Sequence, residues 1–396
     1  MASPTFHARL SPSGAKRWLH CTMAPTMEDG IPDSGSVYAA EGTAAHSLAE
    51  LKLQYETGKI TKRTFTLRYN KFKANNEFYS PGMDDYVDEY VGTVMERFNA
   101  LPNASIDLEV RVDYSDWVPD GTGTSDVVIA ADGVIEVIDL KYGKGVPVSA
   151  EWNEQAMLYG LGAFHEYDMI YDFQEVRMTI VQPRLGSIST FEMTIEELLS
   201  WANDFVKPQA EKAAKGEGEF APSPDTCQWC KAKGFCKARA EKNLEITSYS
   251  NALGFRKPSF LSPLELADIL AKAKEITSWI KDVEEYSLEI VRDHDARVPG
   301  WKLVEGRSNR KLTDEEAAIF VLEAEGFEDD DILKPRTLQT ITALEKVVGK
   351  KRFAELLGEY VVKPEGKPVL VPEEDKRPAL NGLASAEEDF GGVRDD

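Results

Sequence analysis

Residues 121–145 read GTGTSDVVIAADGVIEVIDLKYGKG, and residues 151–160, one short connection later, read EWNEQAMLYG. Thr124–Ala130 and Val134–Lys141 are β-branched and apolar runs, and the Asp132-Gly133 pair between them is the strongest short-range signal for a hairpin. If Asp132 and Gly133 form a two-residue turn, Ala131 pairs with Val134, and counting outward sets Asp126 opposite Asp139. Opposed residues of an antiparallel pair have Cβ atoms roughly 4.5–5.5 Å apart, where like charges repel. Two carboxylates at that register imply a cation between them. Strand residues alternate between faces, so Asp139 and Lys141 share one face while Ile138 and Leu140 point the other way, into a core. A helix is expected from about Glu151, with Gln155 and Tyr159, four apart, on one of its faces.

This ordered set resembles the RecB-type branch of the PD-(D/E)XK nuclease superfamily, which includes the AddB-like and CRISPR-associated adaptation nucleases. Asp126, in Gly123-Thr-Ser-Asp126, matches the first motif aspartate. Asp139-Leu140-Lys141 matches (D/E)-x-K, and Gln155-x-x-x-Tyr159 matches the Q-x-x-x-Y motif of that branch. An Asp-x-Lys alone carries almost no information; the ordered set with a countable hairpin register is specific. The competing reading is a surface hairpin with a solvated ion pair. The resemblance implies an α/β fold with a restriction-endonuclease-like core, a mixed central sheet flanked by helices, and Asp126, Asp139, Lys141, Gln155 and Tyr159 as catalytic residues. The branch also carries a metal-binding histidine in a helix upstream of the hairpin. His46, in Gly42-Thr43-Ala44-Ala45-His46, takes that place. A ligand set of His46, Asp126 and Asp139 suits Mn²⁺ better than Mg²⁺, because imidazole is softer than oxygen. Glu50, one turn further on, either orients His46 or is an ordinary exposed glutamate. Glu109, in an expected strand Ile106–Val112, is either a further metal-site carboxylate or a structural one.

Four cysteines in 396 residues do not make a disulfide scaffold. Cys227-x-x-Cys230 is followed by Cys236, and the remaining cysteine, Cys21, is far upstream. A structural zinc site prefers two spaced pairs. One early cysteine plus a late triplet resembles the arrangement by which the AddB-like and CRISPR-associated nucleases hold a 4Fe–4S cluster through four thiolates. By that resemblance the cluster staples the first helix to the end of the nuclease domain, with Trp229 and Phe235 placed to shield it. Zinc is the alternative, and free thiols the next.

The formal net charge is −22, from 68 acidic and 46 basic residues, which argues against broad nucleic-acid affinity but not against a local basic path. The most basic segment, Lys59–Lys73, holds Lys59, Lys62, Arg63, Arg68, Lys71 and Lys73 with no acid, and Phe65, Tyr69 and Phe72 interleave. It reads either as a surface that tracks single-stranded nucleic acid or as a charged hairpin edge. No apolar run approaches the ~20 residues of a membrane span, and Met1–Leu10 lacks the pattern of a secretory signal. The expected setting is the bacterial cytoplasm.

Helices are expected from Ser11–Gly14 to Cys21, from Gly42 to Tyr55 and from Asp84 to Phe98, with a loop over Pro25–Ser36. Strands are expected at Ile170–Gln182 and Ser187–Met193, then a helix over Ile195–Ala214. Ser262 and Pro263 open a long helix to about Asp293. Pro299–Arg307 reads as a strand, and Leu312–Glu325 and Leu338–Leu357 as helices. The expected organisation is a nuclease domain with the cysteines (1–250), a long helical segment (251–300), a small α/β or helical region (301–372) and an acidic, disordered tail (373–396). The whole chain also resembles an uncharacterised phage and prophage family. The expectation is a divalent-metal-dependent deoxyribonuclease acting at DNA ends in phage recombination or replication. Its partners are then DNA with a free single-stranded end and a phage single-strand-binding or annealing protein. A DNA-binding module with little cleavage and a metal-dependent RNA phosphodiesterase are the alternatives.

Overall fold

The computed structural model describes residues 9–32, 35, 37–245, 263–294, 296–304 and 349–357. The chain divides into two compact units, Met1–Val304 and Glu305–Asp396. In the first unit a 3₁₀ turn, Pro12–Gly14, leads into α1 (Ala15–His20), α2 (Ala24–Glu28), α3 (Val37–Glu56), α4 (Lys62–Asn75) and α5 (Pro81–Ala100). The strands are β1 (Ser105–Asp113), β2 (Thr122–Ala131), β3 (Gly133–Leu140), β4 (Phe173–Gln182) and β5 (Ser187–Thr194), with α6 (Glu154–Tyr167) between β3 and β4. Then follow α7 (Ile195–Trp201), α8 (Lys207–Lys215), α9 (Pro224–Cys227), α10 (Lys237–Leu244) and α11 (Pro263–Asp293).

The five strands form one mixed sheet in the order β1-β2-β3-β4-β5. Only β3 and β4 run parallel, and α6 is the crossover that this pairing requires. The hairpin turn is the expected one, since Ala131 pairs with Val134. Both faces of the sheet are covered, and β3 is buried at every position after Gly133. One face packs α6, α1, α7 and α8 around Trp18, Val128, Ile135, Met157, Leu161 and Met178. The other packs α3 and α5 around Leu48, Leu53, Val87, Val94, Ile129 and Ile138. Each such fully buried aliphatic side chain contributes about 1.5–3 kcal/mol.

Local chemistry sets the element ends. Asn153 caps α6, its side chain accepting from Ala156 N at 3.1 Å, so the helix starts at Glu154 rather than Glu151. Ser80 caps α5 with Pro81 at its first position, which moves that start ahead of Asp84. The apolar stripe of α5 is buried at Met83, Val87, Tyr90, Val91 and Val94, but Tyr86 is exposed. The helix expected over Ile195–Ala214 is interrupted by a π turn at Ala202–Val206. Pro208, which has no N–H and crowds the carbonyl four residues earlier, accounts for it. The expected loop Pro25–Ser36 contains part of α2.

The largest difference is at Lys59–Lys73. From Lys62 onward it is helical, capped by Thr61, which accepts from Thr64 N at 3.3 Å. Phe65, Tyr69 and Phe72 stand at i, i+4 and i+7, the spacing of a helix stripe rather than of a strand. Phe65 stacks on Tyr55 of α3, and Tyr69 and Phe72 pack against the second core. Trp301–Val304 forms no strand. Leu312–Glu325 and the tail from 373 fall outside the described residues, and of Leu338–Leu357 the described part holds the helix Lys350–Leu357.

Candidate metal and nuclease site

Val127 pairs with Ile138 across the hairpin, so one further step sets Asp126 beside Asp139. On the other side Leu108 pairs with Val127 and Val110 with Ser125, which sets Glu109 opposite Asp126. Three carboxylates therefore form a row across β1, β2 and β3. Glu109 has a left-handed backbone (φ 49°) in mid-strand. A non-glycine residue in that region costs on the order of 1–3 kcal/mol and is retained where its surroundings demand it.

α3 supplies the fourth group. His46 Nδ1 lies 3.1 Å from Asp126 Oδ1, and Leu140 N donates to Asp126 Oδ2 at 2.7 Å. One ligand atom each from His46, Glu109 and Asp126 falls within 4.8 Å of the others, a spacing that fits a cation. These residues line one pocket with Glu50, Tyr90 and Leu140. Glu109 is exposed as a residue, but partial desolvation of its carboxyl in the pocket and then Asp126 push that group up to about 7. At His46 burial opposes the charge, but attraction and hydrogen bonding to Asp126 outweigh it and raise the imidazole to about 9. Without a metal, the pocket therefore holds protons that a bound cation would displace.

Asp139 stands beside this group, and its own carboxylate is taken up by Lys141, with Nζ 2.9 Å from Oδ2. Burial raises the Asp139 carboxyl, Lys141 pulls it back and Asp126 raises it again; the net direction is upward. Lys141 Nζ also donates to Gln155 Oε1 at 3.0 Å, and Gln155 Nε2 donates to Tyr159 Oη at 3.3 Å. The four motif residues thus form one hydrogen-bonded chain from β3 to α6, in which Gln155 and Tyr159 hold the lysine. Gly123, of the Gly-x-x-Asp motif, has a steric reason: a Cβ there would lie 2.7 Å from Pro12 Cγ and 2.9 Å from Tyr159 Cε1. The Ser11-Pro-Ser-Gly14 turn, held by Trp18 Nε1 donating to Ser11 O at 2.9 Å, packs at that point.

A family model described as "Protein of unknown function (DUF2800)" matches residues 7–378. The chain belongs to that family. Among solved structures, the crystal structure of SSO0001 is similar over 57% of this chain and 96% of its own, at 14% identity and a TM-score of 0.23.

The four cysteines of this DUF2800 chain, Cys21, Cys227, Cys230 and Cys236, line one pocket with Met27, Phe220 and Pro222. Burial, then Glu28, pushes the Cys230 thiol up to about 12, and burial raises Cys21, with Cys227 and Cys236 adding to the shift. The pocket is closed by polar links between distant segments. Thr22 Oγ1 accepts from Glu219 N at 2.8 Å, and Glu28 accepts from Lys231 N at 2.8 Å while pairing with Arg17 at 3.0 Å. Trp229 and Phe235 do not shield the thiols. Trp229 is 73% exposed, and Phe235 stacks on Tyr286 of α11 at 4.7 Å. α11 grips the same loop. Asp282 pairs with Arg239 at 2.6 Å and Lys233 at 2.9 Å, and a Cβ at Gly234 would lie 2.6 Å from Asp282 O.

The basic segment divides. Lys59 Nζ donates to Ile106 O at 2.7 Å, and Lys73 lies over the Tyr69 and Tyr79 rings, so both are engaged within the protein. Lys62, Arg63, Arg68 and Lys71 are exposed on α4 together with Leu67. Arg68 donates to Gln54 at 3.3 Å, and Gln54 donates to Glu50 at 2.8 Å, so a hydrogen-bonded path links this face to the His46 pocket. Glu50 is accordingly a half-buried pocket residue, not an ordinary surface glutamate. Tyr90 is legible in the sequence only as a member of the α5 stripe; nothing in its spacing marks a pocket residue. Among the described residues, no helix is long and apolar enough to cross a membrane.

Proposed function

We propose that this protein is a divalent-metal-dependent deoxyribonuclease with a RecB-type PD-(D/E)XK site. The observation that carries the reading is the row Glu109–Asp126–Asp139 across three strands, flanked by His46 on one side and Lys141 on the other. His46, Glu109 and Asp126 would hold the ion, and Asp139 is the next carboxylate in the row. A divalent ion held by such a set lowers the pKa of a bound water and neutralises charge on a phosphodiester. Leu140 N fixes Asp126, and Asp126 in turn orients the His46 ring. Lys141, anchored by Asp139 and Gln155, presents an ammonium to the developing phosphate charge. The exposed cations of α4 would track the strand toward the pocket.

Cys21, Cys227, Cys230 and Cys236 are further proposed to hold a 4Fe–4S cluster; four thiols on one pocket support it. Protein purified without oxygen should contain iron and sulfide, and stoichiometric zinc without iron would overturn this part.

The decisive experiment is a cleavage panel of linear single-stranded DNA, tailed duplex, closed circles and RNA, each with Mn²⁺, Mg²⁺ or chelator. Metal-dependent cleavage of linear DNA, faster than of closed circles, is expected. Cleavage that survives chelation would sink the metal reading, and equal rates on circles and linear strands would make the enzyme an endonuclease.

A further inference from the structure

The pocket around His46 holds a group to which the proposed nuclease chemistry gives no role. Tyr90, on α5, is 1% exposed, and its side chain lines the pocket beside His46, Glu50, Glu109 and Asp126. Its hydroxyl is buried and has no hydrogen-bond partner. Two other buried side-chain atoms among the described residues lack one, Asp84 Oδ1 and Asp139 Oδ2, but each has an ammonium beside it, Lys52 at 2.5 Å and Lys141 at 2.9 Å. Tyr90 Oη has no such neighbour. Leaving a hydroxyl buried and unsatisfied costs about 1–3 kcal/mol, and a phenylalanine would fill the same space in the second core without that cost.

A phenol is one donor and one acceptor. It makes no hydrogen bond to Glu50, Glu109 or Asp126, with which it lines the pocket, so its donor is left for a group in the space that His46, Glu109 and Asp126 surround. We propose that Tyr90 is a positioning residue whose hydroxyl donates a hydrogen bond to a water carried by the divalent ion in this pocket. This rests on the metal reading above. Outer partners of metal-bound groups tune affinity by about 10–100-fold.

The test is calorimetric titration of Mn²⁺ into metal-free protein without DNA, with melting temperatures recorded at zero and saturating Mn²⁺. Wild type, Tyr90→Phe and His46→Ala are compared. Tyr90→Phe should melt at or above the wild-type temperature without metal, bind Mn²⁺ about tenfold more weakly and show a smaller Mn²⁺-induced rise. Unchanged Mn²⁺ affinity in Tyr90→Phe, with wild type binding and His46→Ala not, overturns the role of Tyr90 alone. A Tyr90→Phe protein that fails to fold also overturns it, by making the hydroxyl structural. Wild type that binds no Mn²⁺, or His46→Ala that binds as wild type does, overturns the metal reading and this proposal with it.

Discussion

The carboxylate pocket and the thiol pocket belong to one unit but are built on opposite plans. The carboxylates sit on three neighbouring strands, framed by the ladder pairs Leu108–Val127, Val110–Ser125 and Val127–Ile138. The thiols sit on helix ends and loops, and the segments that meet there are distant: Thr22 and Glu219, which bridge them, are 197 residues apart. Few ladder bonds hold that closure, and its loop entropy has to be offset by side-chain links or by a bound group. On the proposed reading, the first pocket concentrates function in a frame that should tolerate substitution. In the second, if the thiols hold a bound group, the contents become part of the frame.

The largest expected effect separates the two plans directly. Asp126→Ala, Asp139→Ala or Lys141→Ala should each lower divalent-dependent cleavage by at least about 10²–10³-fold while leaving iron content near wild type. Cys227→Ser should do the reverse first, losing iron and melting earlier, with activity falling only as the fold does. Parallel measurements of rate, iron and melting decide it. An Asp139→Ala protein with wild-type rates removes the assigned site, and a Cys227→Ser protein that keeps both iron and melting temperature removes the contrast.

The next effect tests how much of the thiol frame is held by side chains. Asp282 of α11 neutralises Arg239, whose side chain is 5% exposed, and Lys233. Asp282→Ala leaves a buried guanidinium unpaired, a change worth about 3–5 kcal/mol. The urea midpoint should fall, and amide exchange should quicken over 231–244 before it does in the sheet. An unchanged midpoint would mean that α11 merely rests on the loop.

Smaller again is the effect of α4. Replacing Lys62, Arg63, Arg68 and Lys71 together by alanine should weaken binding of single-stranded DNA and flatten its salt dependence, by about 0.7 in slope for each phosphate no longer neutralised. The fold should hold, because the aromatic face of the helix is untouched. A full wild-type slope would leave α4 as a solvated face and confine DNA binding to the pocket.

These regions are not equally legible in the sequence. The hairpin is, because a two-residue Asp-Gly turn fixes register and register fixes which carboxylates face each other. Glu109 is half legible: its strand can be read, but its left-handed backbone cannot, since nothing in the alternation of Ile106, Leu108 and Val110 around it signals a positive φ. Lys59–Lys73 misleads in one of its two readings, because its charge suggests a hairpin edge while the spacing of Phe65, Tyr69 and Phe72 already carries a helical period. Tyr90 and Asp282 are illegible for a different reason. Asp282 acts through Arg239 and Lys233, and Tyr90 lines a pocket assembled from other elements; single-chain periodicity says only that such a residue lies on a face.

The smallest effect is one of pH, and it sharpens the comparison because only one pocket should respond below the ordinary thiol range. In metal-free protein Glu109 is raised to about 7 and His46 to about 9. A group whose folded pKa exceeds its unfolded value binds more protons folded than unfolded between the two, so stability falls as pH rises through that window. For Glu109 the window runs from the ordinary carboxylate range to about 7, and for His46 from the ordinary imidazole range to about 9. Both contributions have the same sign, and metal-free stability contributed by this pocket declines from about pH 5 to about pH 9. The Cys230 thiol, raised to about 12, contributes a slope of the same sign only from the ordinary thiol range upward, so below about pH 8 it adds almost none. Glu109→Gln isolates the carboxyl's share. At about pH 5 the wild-type carboxyl is neutral in the fold and glutamine replaces it at little cost; at about pH 8 it is ionised against Asp126 and glutamine relieves the repulsion. The melting temperature of Glu109→Gln minus that of wild type, both without metal, should therefore be more positive at the higher pH than at the lower. Saturating Mn²⁺ should reverse the order at the higher pH, because the variant has lost a ligand. A difference that is flat with pH in metal-free protein would mean that Glu109 and Asp126 do not share one electrostatic site.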